Sequence, residues 1–257
     1  DNIPFHAIRW PAVLMGLGDL NLPYDIPANE FLNLEGRKLS TSNNWAVWVG
    51  QYLKDYDPDP LRYVLTITAP ETADSDFSWA EFLRRNNDEL VGWWGNLVNR
   101  TVSFVHKHFQ GQVPAGLRQE VDEELLNLGR ATFEKVGQLI ANCQFKQALA
   151  EAMELAREGN RYFDAQAPWK SVKVDKERTG VVMATMLQLI AYLRVMLHPF
   201  LPDTSSKLHT ILNLADAPQE VRWSLPTLEA GHPLNAPVPL FKKLDPSIVE
   251  IERAKLG

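Results

Sequence analysis

The stretch GRKLSTSNNW, residues 36–45, places an arginine, a lysine and three hydroxyl side chains between a glycine and an apolar run. Ammonium groups, hydroxyls and backbone N–H groups are the donors that proteins direct at phosphate oxygens. A mobile loop of this composition could close on a nucleotide and neutralise charge that develops on its phosphates. The same residues also suit an ordinary polar turn, and spacing alone does not separate the two interpretations.

A second candidate is the pair Asn96 and Arg100 in ELVGWWGNLVNR. In a helix, residues four apart are neighbours on one strip, and Trp93 lies near that strip. An amide beside a guanidinium can hydrogen-bond the edges of unpaired bases, although a solvated pair without a ligand is the more ordinary interpretation. The strip lies opposite an apolar sector expected to face the core. That sector comprises Leu90, Trp94, Leu97, Val98, Val102, Val105 and Phe109.

The third candidate is Trp169, at the end of NRYFDAQAPW. Pro168 is expected to end a helix near Ala167 and leave Trp169 in a turn at the end of a helical bundle. There the indole could stack on an unpaired base, or it could pack under the loop as part of the core. Together, the second and third candidates favour single-stranded nucleic acid more than either does alone.

The elements that must position these residues change in kind near residue 77. Before residue 75, prolines and glycines interrupt short apolar runs, which predicts a mixture of short strands and helices. From Trp79 onward, a helical period predicts long helices. We therefore predict a mainly α chain, with a short α/β part followed by an α-helical bundle. The predicted long helices cover about 79–109, 119–142, 145–166 and 177–198.

Capping residues refine these boundaries. Ser78 and Glu81 have the spacing of a capping box at the start of the first long helix. A shorter helix should follow His198, with Asp203 or Thr204 as its N-cap. A last amphipathic segment is expected in DPSIVEIERAKLG.

Composition limits the function. The formal net charge of -6 provides no overall basic field, so any contact with nucleic acid must be local. Cys143 is the only cysteine, which excludes an internal disulfide or a cysteine-based zinc cluster in these residues and favours a reducing compartment. We expect no membrane segment. Because the chain starts at Asp1 without a signal-peptide pattern, we expect a piece of a longer protein.

Six blocks follow one another in a characteristic order: DNIPFH with WPA, LNLEGRKLSTS, DPDPLRYVL, ETADSDFSW, ELVGWWGNLVNR and NRYFDAQAPW. This order resembles the C-terminal half of methionyl-tRNA synthetases, a class I family, from residue 1 to about 200, with a weaker similarity in VPLFKKLD. The resemblance implies the end of a Rossmann-type catalytic domain at 1–44, a stem-contact region at 45–76 and a helical anticodon-binding domain at 77–257. The family's HIGH motif, connective insertion and zinc knuckle would lie upstream.

The resemblance also assigns site residues. GRKLSTS is similar to the KMSKS loop, in which Lys38 would be catalytic and Thr41 replaces the second lysine, so that Lys38 and Arg37 would stabilise the leaving pyrophosphate. The ATP-binding residues would be Lys38, Leu39, Ser40, Thr41 and Ser42. The methionine site would be lined or supported by Asp1, Phe5, His6 and Trp10, although a buried core histidine is the ordinary alternative for His6. The contacts to the anticodon CAU would come from Asn96, Arg100 and Trp169.

The implied activity is that of a methionine–tRNA ligase, which activates methionine with ATP and transfers it to tRNA(Met). ATP would enter as a substrate with Mg²⁺, and this part alone should bind no cofactor or metal and be inactive without an N-terminal catalytic half or subunit. The expected location is the cytoplasm, without a membrane. Two alternatives stay open: a catalytically inactive tRNA-binding or assembly module, and a helical domain whose exposed tryptophans bind protein.

Overall fold

A small sheet with short helices precedes a helical bundle in the computed structural model, which describes residues 2–215 and 221–257. The first region contains α1 Asn2–Pro4, π1 Phe5–Arg9, α2 Trp10–Leu17, β1 Leu32–Leu34, β2 Arg37–Lys38, α3 Val49–Asp55, α4 Pro58–Ile67 and β3 Ser75–Phe77. The bundle contains α5 Trp79–Arg84, π2 Arg85–Gly95, α6 Asn96–Phe109, α7 Glu120–Ala141, α8 Phe145–Gln166, α9 Pro168–Ser171, α10 Lys176–Leu197, α11 Pro202–Ile211 and α12 Ile248–Arg253. The predicted fold class, mainly α with a short α/β part, is confirmed.

The sheet has the order β2-β1-β3. Strands β1 and β2 form an antiparallel hairpin in which Asn33 faces Lys38. Strand β3 returns parallel to β1, with Leu34 opposite Phe77, after the chain has passed through α3 and α4. The central strand is short but has partners on both sides, whereas β2 lies at the edge and leads directly into the lysine-containing loop.

The predicted first long helix is a continuous helical path with two hydrogen-bonding patterns. Residues 85–95 form a π-helix between α5 and α6, so the prediction of one uninterrupted α-helix over 79–109 is corrected. A uniform period of 3.6 residues cannot reveal such a wider turn, because apolar residues still return to one side. The expected core sector is buried from Leu90 to Val105, and only Phe109 is partly exposed.

Helix α10 forms the centre of the bundle and packs against α6, α7, α8, α9 and α11. It is apolar on all sides, as a helix surrounded by other helices must be. By length and composition it would suffice to cross a membrane, but 94% of its apolar window is buried inside the bundle. Gly159 of α8 allows this packing, since a Cβ there would lie 2.8 Å from the Leu189 side chain. The apolar length of α10 reflects a core helix.

Two helix starts test the predicted caps. The Ser78 hydroxyl accepts a hydrogen bond from the backbone N–H of Glu81 at 3.2 Å, so the predicted N-cap forms. The Glu81 carboxylate binds Arg84 instead of completing a capping box. The prediction for α11 is wrong: its N-cap is Leu201, and Pro202 occupies the first turn. The backbone N–H of Thr204 donates instead to the buried carboxylate of Asp59, at 2.6 Å. A carboxylate from another helix therefore replaces the local cap.

The C-terminal segment returns to the sheet region. In π2, the side chain of Asn86 donates to the carbonyl of Lys242 at 3.0 Å, and Asn87 exchanges two bonds of 2.9 Å with the backbone of Leu244. Helix α12 then packs against α5. Beyond it, the Asn44 side chain donates to the carbonyl of Lys255 at 3.1 Å. The last residues thus contact the loop that follows β2.

Candidate phosphate loop and nucleic-acid interface

The candidate loop follows a tight hairpin turn. Glu35 and Gly36 have φ angles of +49° and +74°, the left-handed pair that joins twisted antiparallel strands. Glycine adopts this conformation freely, whereas Glu35 is held by contacts on both sides. Its N–H donates to the carbonyl of Phe77, and its carboxylate accepts from the N–H of Trp79, both at 2.8 Å. The turn is a fixed base from which β2 leads into the loop.

The loop itself closes on a short backbone bridge. Ser40 and Trp45 exchange two backbone hydrogen bonds of 2.9 and 2.8 Å. The Ser40 hydroxyl lies 3.2 Å from that of Ser42, and Thr41 is exposed at the tip. The indole N–H of Trp45 donates to the carbonyl of Leu34 at 2.8 Å, which ties the bridge to β1. Hydroxyls are therefore displayed on an anchored tip.

The two cations of the loop have different surroundings. The Lys38 side chain is exposed, with its Nζ 5.6 Å from the centre of the Phe31 ring. The Arg37 guanidinium lies 4.6 Å from the centre of the Trp45 ring, a cation–π distance. Within the described parts of the chain, no carboxylate lies within 4.0 Å of either cation. Lys38 is thus accessible to a phosphate, whereas the Arg37 guanidinium packs against the Trp45 indole.

The predicted methionine-site residues lie on the N-terminal helical segment, except Asp1, which lies outside the described residues. Phe5 and Trp10 are 48% and 46% exposed. His6 is exposed and contacts Phe5 edge to face, with ring centres 5.3 Å apart. A buried core histidine is therefore not what the structure contains at this position. The structure brings Phe5 and His6 together on the surface, and their role stays a prediction.

The candidate base contacts meet at Arg100. Its guanidinium carbon lies 4.3 Å from the centre of the Phe163 ring and 5.9 Å from that of Trp169. Its Nη2 donates to Asp164 at 2.6 Å. Asn96 lies one turn earlier on α6 and is exposed. The structure therefore brings an amide, a guanidinium and an indole to one surface, which we call the base-contact surface (Asn96, Arg100 and Trp169).

The end of the helix before Pro168 is as predicted, but Trp169 lies in the one-turn helix α9 rather than in a turn. Helix α8 ends at Gln166, and Ala167 adopts a left-handed φ of +42° before Pro168 starts α9. The Trp169 side chain is 45% exposed, so it is not a core plug. Its ring centre lies 6.0 Å from that of Phe163. Nearly half of the indole is accessible to a stacking partner.

A buried ionic network fixes the end of α8, directly before α9 and Trp169. Asp122, at the start of α7, accepts two bonds from the Arg178 guanidinium, at 2.5 and 2.8 Å, and one from the Tyr162 hydroxyl. Arg178 also donates to the side chain of Gln166 at 2.8 Å. Burial opposes ionisation of Asp122, but the bonds from Arg178, Tyr162 and the Gln119 N–H lower the pKa of its carboxyl. The ionised network joins the ends of three helices.

The sequence patterns gave no indication of Phe163 and Asp164, which contact Arg100 on the base-contact surface. Both occur in the quoted NRYFDAQAPW, but their partner is more than sixty residues away on another helix. An acidic residue next to an aromatic one carries no local signal for such a contact. Trp93 is likewise covered by a distant residue, since the Arg157 guanidinium carbon lies 4.8 Å from its ring centre.

The chain joins a small sheet with a lysine and hydroxyl loop to a helical bundle, and its family matches make it a class I aminoacyl-tRNA synthetase sequence. The family "tRNA synthetases class I (M)" matches residues 1–102. The family "Anticodon binding domain of methionyl tRNA ligase" matches residues 113–255. The chain therefore belongs to the methionyl-tRNA synthetase family. The predicted domain limits at 44 and 76 stay predictions.

Individual relatives agree with this assignment. The methionine–tRNA ligase of Thermomicrobium roseum is 47% identical, over all of this chain and 49% of that protein. The ligase of Pyrococcus abyssi is 50% identical, over 95% of this chain and 35% of that protein. The apo methionyl-tRNA synthetase of Mycobacterium tuberculosis superposes with a TM-score of 0.82 at 27% identity, over 95% of this chain and 48% of that chain. This chain thus spans half or less of the relatives it matches.

Proposed function

We propose that this chain is the C-terminal part of a methionine–tRNA ligase and supplies its KMSKS-like loop and its anticodon-recognition domain. The observation that carries the proposal is the convergence of Asn96, Arg100 and Trp169 on one surface of the bundle. Residues of α6 and α9 meet there in a chain of the methionyl-tRNA synthetase family. The ligand of this surface is the CAU anticodon of tRNA(Met).

Each group on the base-contact surface has a distinct task. The exposed Trp169 indole stacks on one unpaired base, a contact that tolerates any base. The Asn96 amide can donate and accept at a base edge, and Arg100 can only donate. Because Asp164 and two aromatic rings already hold the Arg100 guanidinium, that group is oriented before RNA arrives. An oriented donor loses less entropy on binding than a free one.

The loop serves the activation step in the complete enzyme. The methionine carboxylate attacks the α-phosphorus of ATP, which enters as its Mg²⁺ complex, and pyrophosphate leaves. The methionyl group then passes to a ribose hydroxyl of the tRNA. Lys38 is the exposed cation that neutralises charge on the leaving pyrophosphate, and the hydroxyls of Ser40, Thr41 and Ser42 donate to its oxygens. A Mycobacterium tuberculosis relative, 26% identical, is described as bound by methionyl-adenylate, the product of this step.

The catalytic half is the second partner. Most of the exposed large apolar side chains of this chain precede residue 66, and such concentrations mark interaction surfaces. An apolar cavity of about 130 Å³ opens on this side of the sheet. Its lining includes Leu32, Leu39, Val47, Val49, Leu61 and Leu65. We assign this face to contact with the upstream half of the enzyme, and Phe5, His6 and Trp10 to the methionine site. Alone, this part binds no cofactor and is inactive, and it functions in the cytoplasm.

Two measurements test the proposal. The first titrates the chain with anticodon stem-loop RNA carrying CAU and with the same stem-loop carrying a scrambled triplet. Tighter binding of the CAU stem-loop is expected, and equal dissociation constants would rule out anticodon recognition. The second mixes the chain with the N-terminal half of a relative and measures methionine-dependent ATP–pyrophosphate exchange. Exchange that needs both halves is expected, and no exchange would leave an inactive RNA-binding module.

A further inference from the structure

A group of basic side chains surrounds a cavity next to Trp169. Its members are Lys107 and His108 from the end of α6, Lys173 from the turn after α9, and Lys176 from the start of α10. We call these four residues the basic cluster. The cavity has a volume of about 420 Å³, and Trp169 contributes to its wall. The basic cluster is therefore continuous with the base-contact surface.

The lysines of the basic cluster are not neutralised by the protein. In the described portions of the chain, no carboxylate lies within 4.0 Å of the Lys107, Lys173 or Lys176 ammonium groups. Among the other lysines of the described residues, only Lys135, Lys207 and Lys255 have a carboxylate within 4.0 Å, so what distinguishes the basic cluster is its grouping around one cavity. In a chain with a net charge of -6, three lysines without a carboxylate partner around one cavity form a local concentration of positive charge. Together, the three ammonium groups form a surface suited to an anionic ligand.

Aromatic rings line the same cavity. The ring of His108 lies tilted against that of Phe104, with ring centres 4.4 Å apart, and Phe104 lines the cavity as well. The Lys176 Nζ lies 5.5 Å from the centre of the Phe109 ring. Partial burial, followed by the charges of Lys107 and Lys176, lowers the pKa of His108, as expected in a field that favours anions. Cations interleaved with aromatic rings characterise grooves that follow a single nucleic-acid strand.

We propose that Lys107, Lys173 and Lys176 bind consecutive phosphodiester groups of the RNA strand whose neighbouring base stacks on Trp169. The phosphates enter the cavity, and His108 lies beside them at its wall. This assignment rests on the proposed function in taking tRNA as the ligand, and it adds a backbone-binding site to the base-contact surface. Backbone contacts fix the register of a strand without reading its sequence, so the basic cluster supplies affinity and the base-contact surface supplies specificity.

The test compares the full 257-residue chain with a triple variant, Lys107→Ala, Lys173→Ala and Lys176→Ala. The matched control changes three other exposed lysines, Lys54, Lys146 and Lys243, to alanine. Lys146 lies in the first turn of α8, whose opposite end precedes Trp169, about 30 Å away at 1.5 Å per residue. Dissociation constants are measured for CAU and scrambled stem-loops over a range of salt concentrations. A third variant with arginine at the three cluster positions keeps the charge.

The triple variant should bind both stem-loops about ten- to thirtyfold more weakly at 0.1 M salt, and its salt slope should fall by about 2, the value for three phosphates on a single strand. Its preference for CAU should be unchanged, and the arginine variant should bind like the wild type. Wild-type affinity and slope in the triple variant, or an equal loss in the control, would overturn the basic-cluster proposal. Failure of the wild type to prefer CAU, with the slope still reduced in the triple variant, would instead overturn the anticodon proposal alone.

Discussion

The carboxylate of Glu35 accepts a hydrogen bond from the backbone N–H of Trp79 at 2.8 Å. Trp79 is the first residue of α5, so the hairpin turn provides an acceptor to the N-terminus of the first bundle helix. The second oxygen of Glu35 accepts from the Arg253 guanidinium of α12 at 3.0 Å. One side chain thus joins the turn before the candidate phosphate loop to both ends of the bundle region.

Replacing Glu35 with alanine should destabilise the chain by about 1–2 kcal/mol, because a helix N-terminus loses its acceptor. Glu35→Gln keeps an amide oxygen for the Trp79 N–H and should recover most of that loss. Arg253→Ala should have the smallest effect, since an exposed ion pair is screened by water. Urea unfolding of the three variants measures this order. If Glu35→Ala were as stable as the wild type, the Glu35 carboxylate would not stabilise the N-terminus of α5.

Trp169→Ala should weaken binding of the CAU stem-loop by about 1–3 kcal/mol, the usual contribution of one base–aromatic stack. The side chain is 45% exposed, so the unfolding free energy should change much less than the binding free energy. Trp169→Phe keeps an aromatic face and should restore part of the affinity. A fluorescence titration with labelled stem-loop RNA gives the dissociation constants. An unchanged constant in the alanine variant would exclude the indole as a stacking platform.

Local sequence patterns predicted much of the bundle. The four long helices, the Ser78 cap and the end of α8 before Pro168 follow from helical period, capping chemistry and the steric effect of proline. The π-helical turn over Arg85–Gly95 could not be predicted this way. Its apolar residues still face the core, so its pattern does not differ from that of an α-helix.

In the candidate site, only the relative positions of residues on the same helix could be predicted from the sequence. Asn96 and Arg100 share a helix, and their common strip follows from their spacing. The contacts of Arg100 with Phe163 and Asp164, and of Glu35 with Trp79, join distant elements, so only the assembled fold reveals them. The prediction of the α11 N-cap failed for the same reason, because the carboxylate of Asp59, on another helix, accepts from the Thr204 N–H. A local capping rule fails where a side chain from another element already accepts the hydrogen bond of the same backbone N–H.

In the complete enzyme, Lys38→Ala should lower the rate constant of adenylate formation with little change in methionine affinity. Lys38 is exposed and unpaired within the described residues, so its charge is available to stabilise the leaving pyrophosphate in the transition state. Pre-steady-state kinetics over a range of methionine concentrations separate the two constants. Equal losses in both would contradict a transition-state role.

Thr41→Lys restores the second lysine of the family motif at an exposed position. If charge neutralisation limits the reaction, this variant should form the adenylate faster than the wild type, and it should partly rescue Lys38→Ala. Single-turnover measurements of Thr41→Lys, Lys38→Ala and the double variant test whether positions 38 and 41 share the neutralisation of the leaving pyrophosphate. A combined variant as slow as Lys38→Ala alone would show that the tip of the loop cannot substitute for Lys38.

The Asp122 network should make stability depend on acid pH. Its side chain is fully buried, and the Arg178 and Tyr162 bonds lower its pKa below the ordinary value of 3.8. Because the folded state binds the proton less readily than the unfolded state, the stabilisation is present above about pH 4 and is lost as pH falls further. Asp122→Asn should therefore cost about 3–5 kcal/mol at pH 7, and the difference from wild type should shrink below pH 4. Tyr162→Phe keeps the ion pair but removes one of the bonds that lower the Asp122 pKa, so it should cost only about 1–2 kcal/mol at pH 7 and weaken the acid dependence without abolishing it. Urea unfolding between pH 3 and pH 7 measures both, and a wild-type-to-Asn difference that stays constant over that range would refute the assignment.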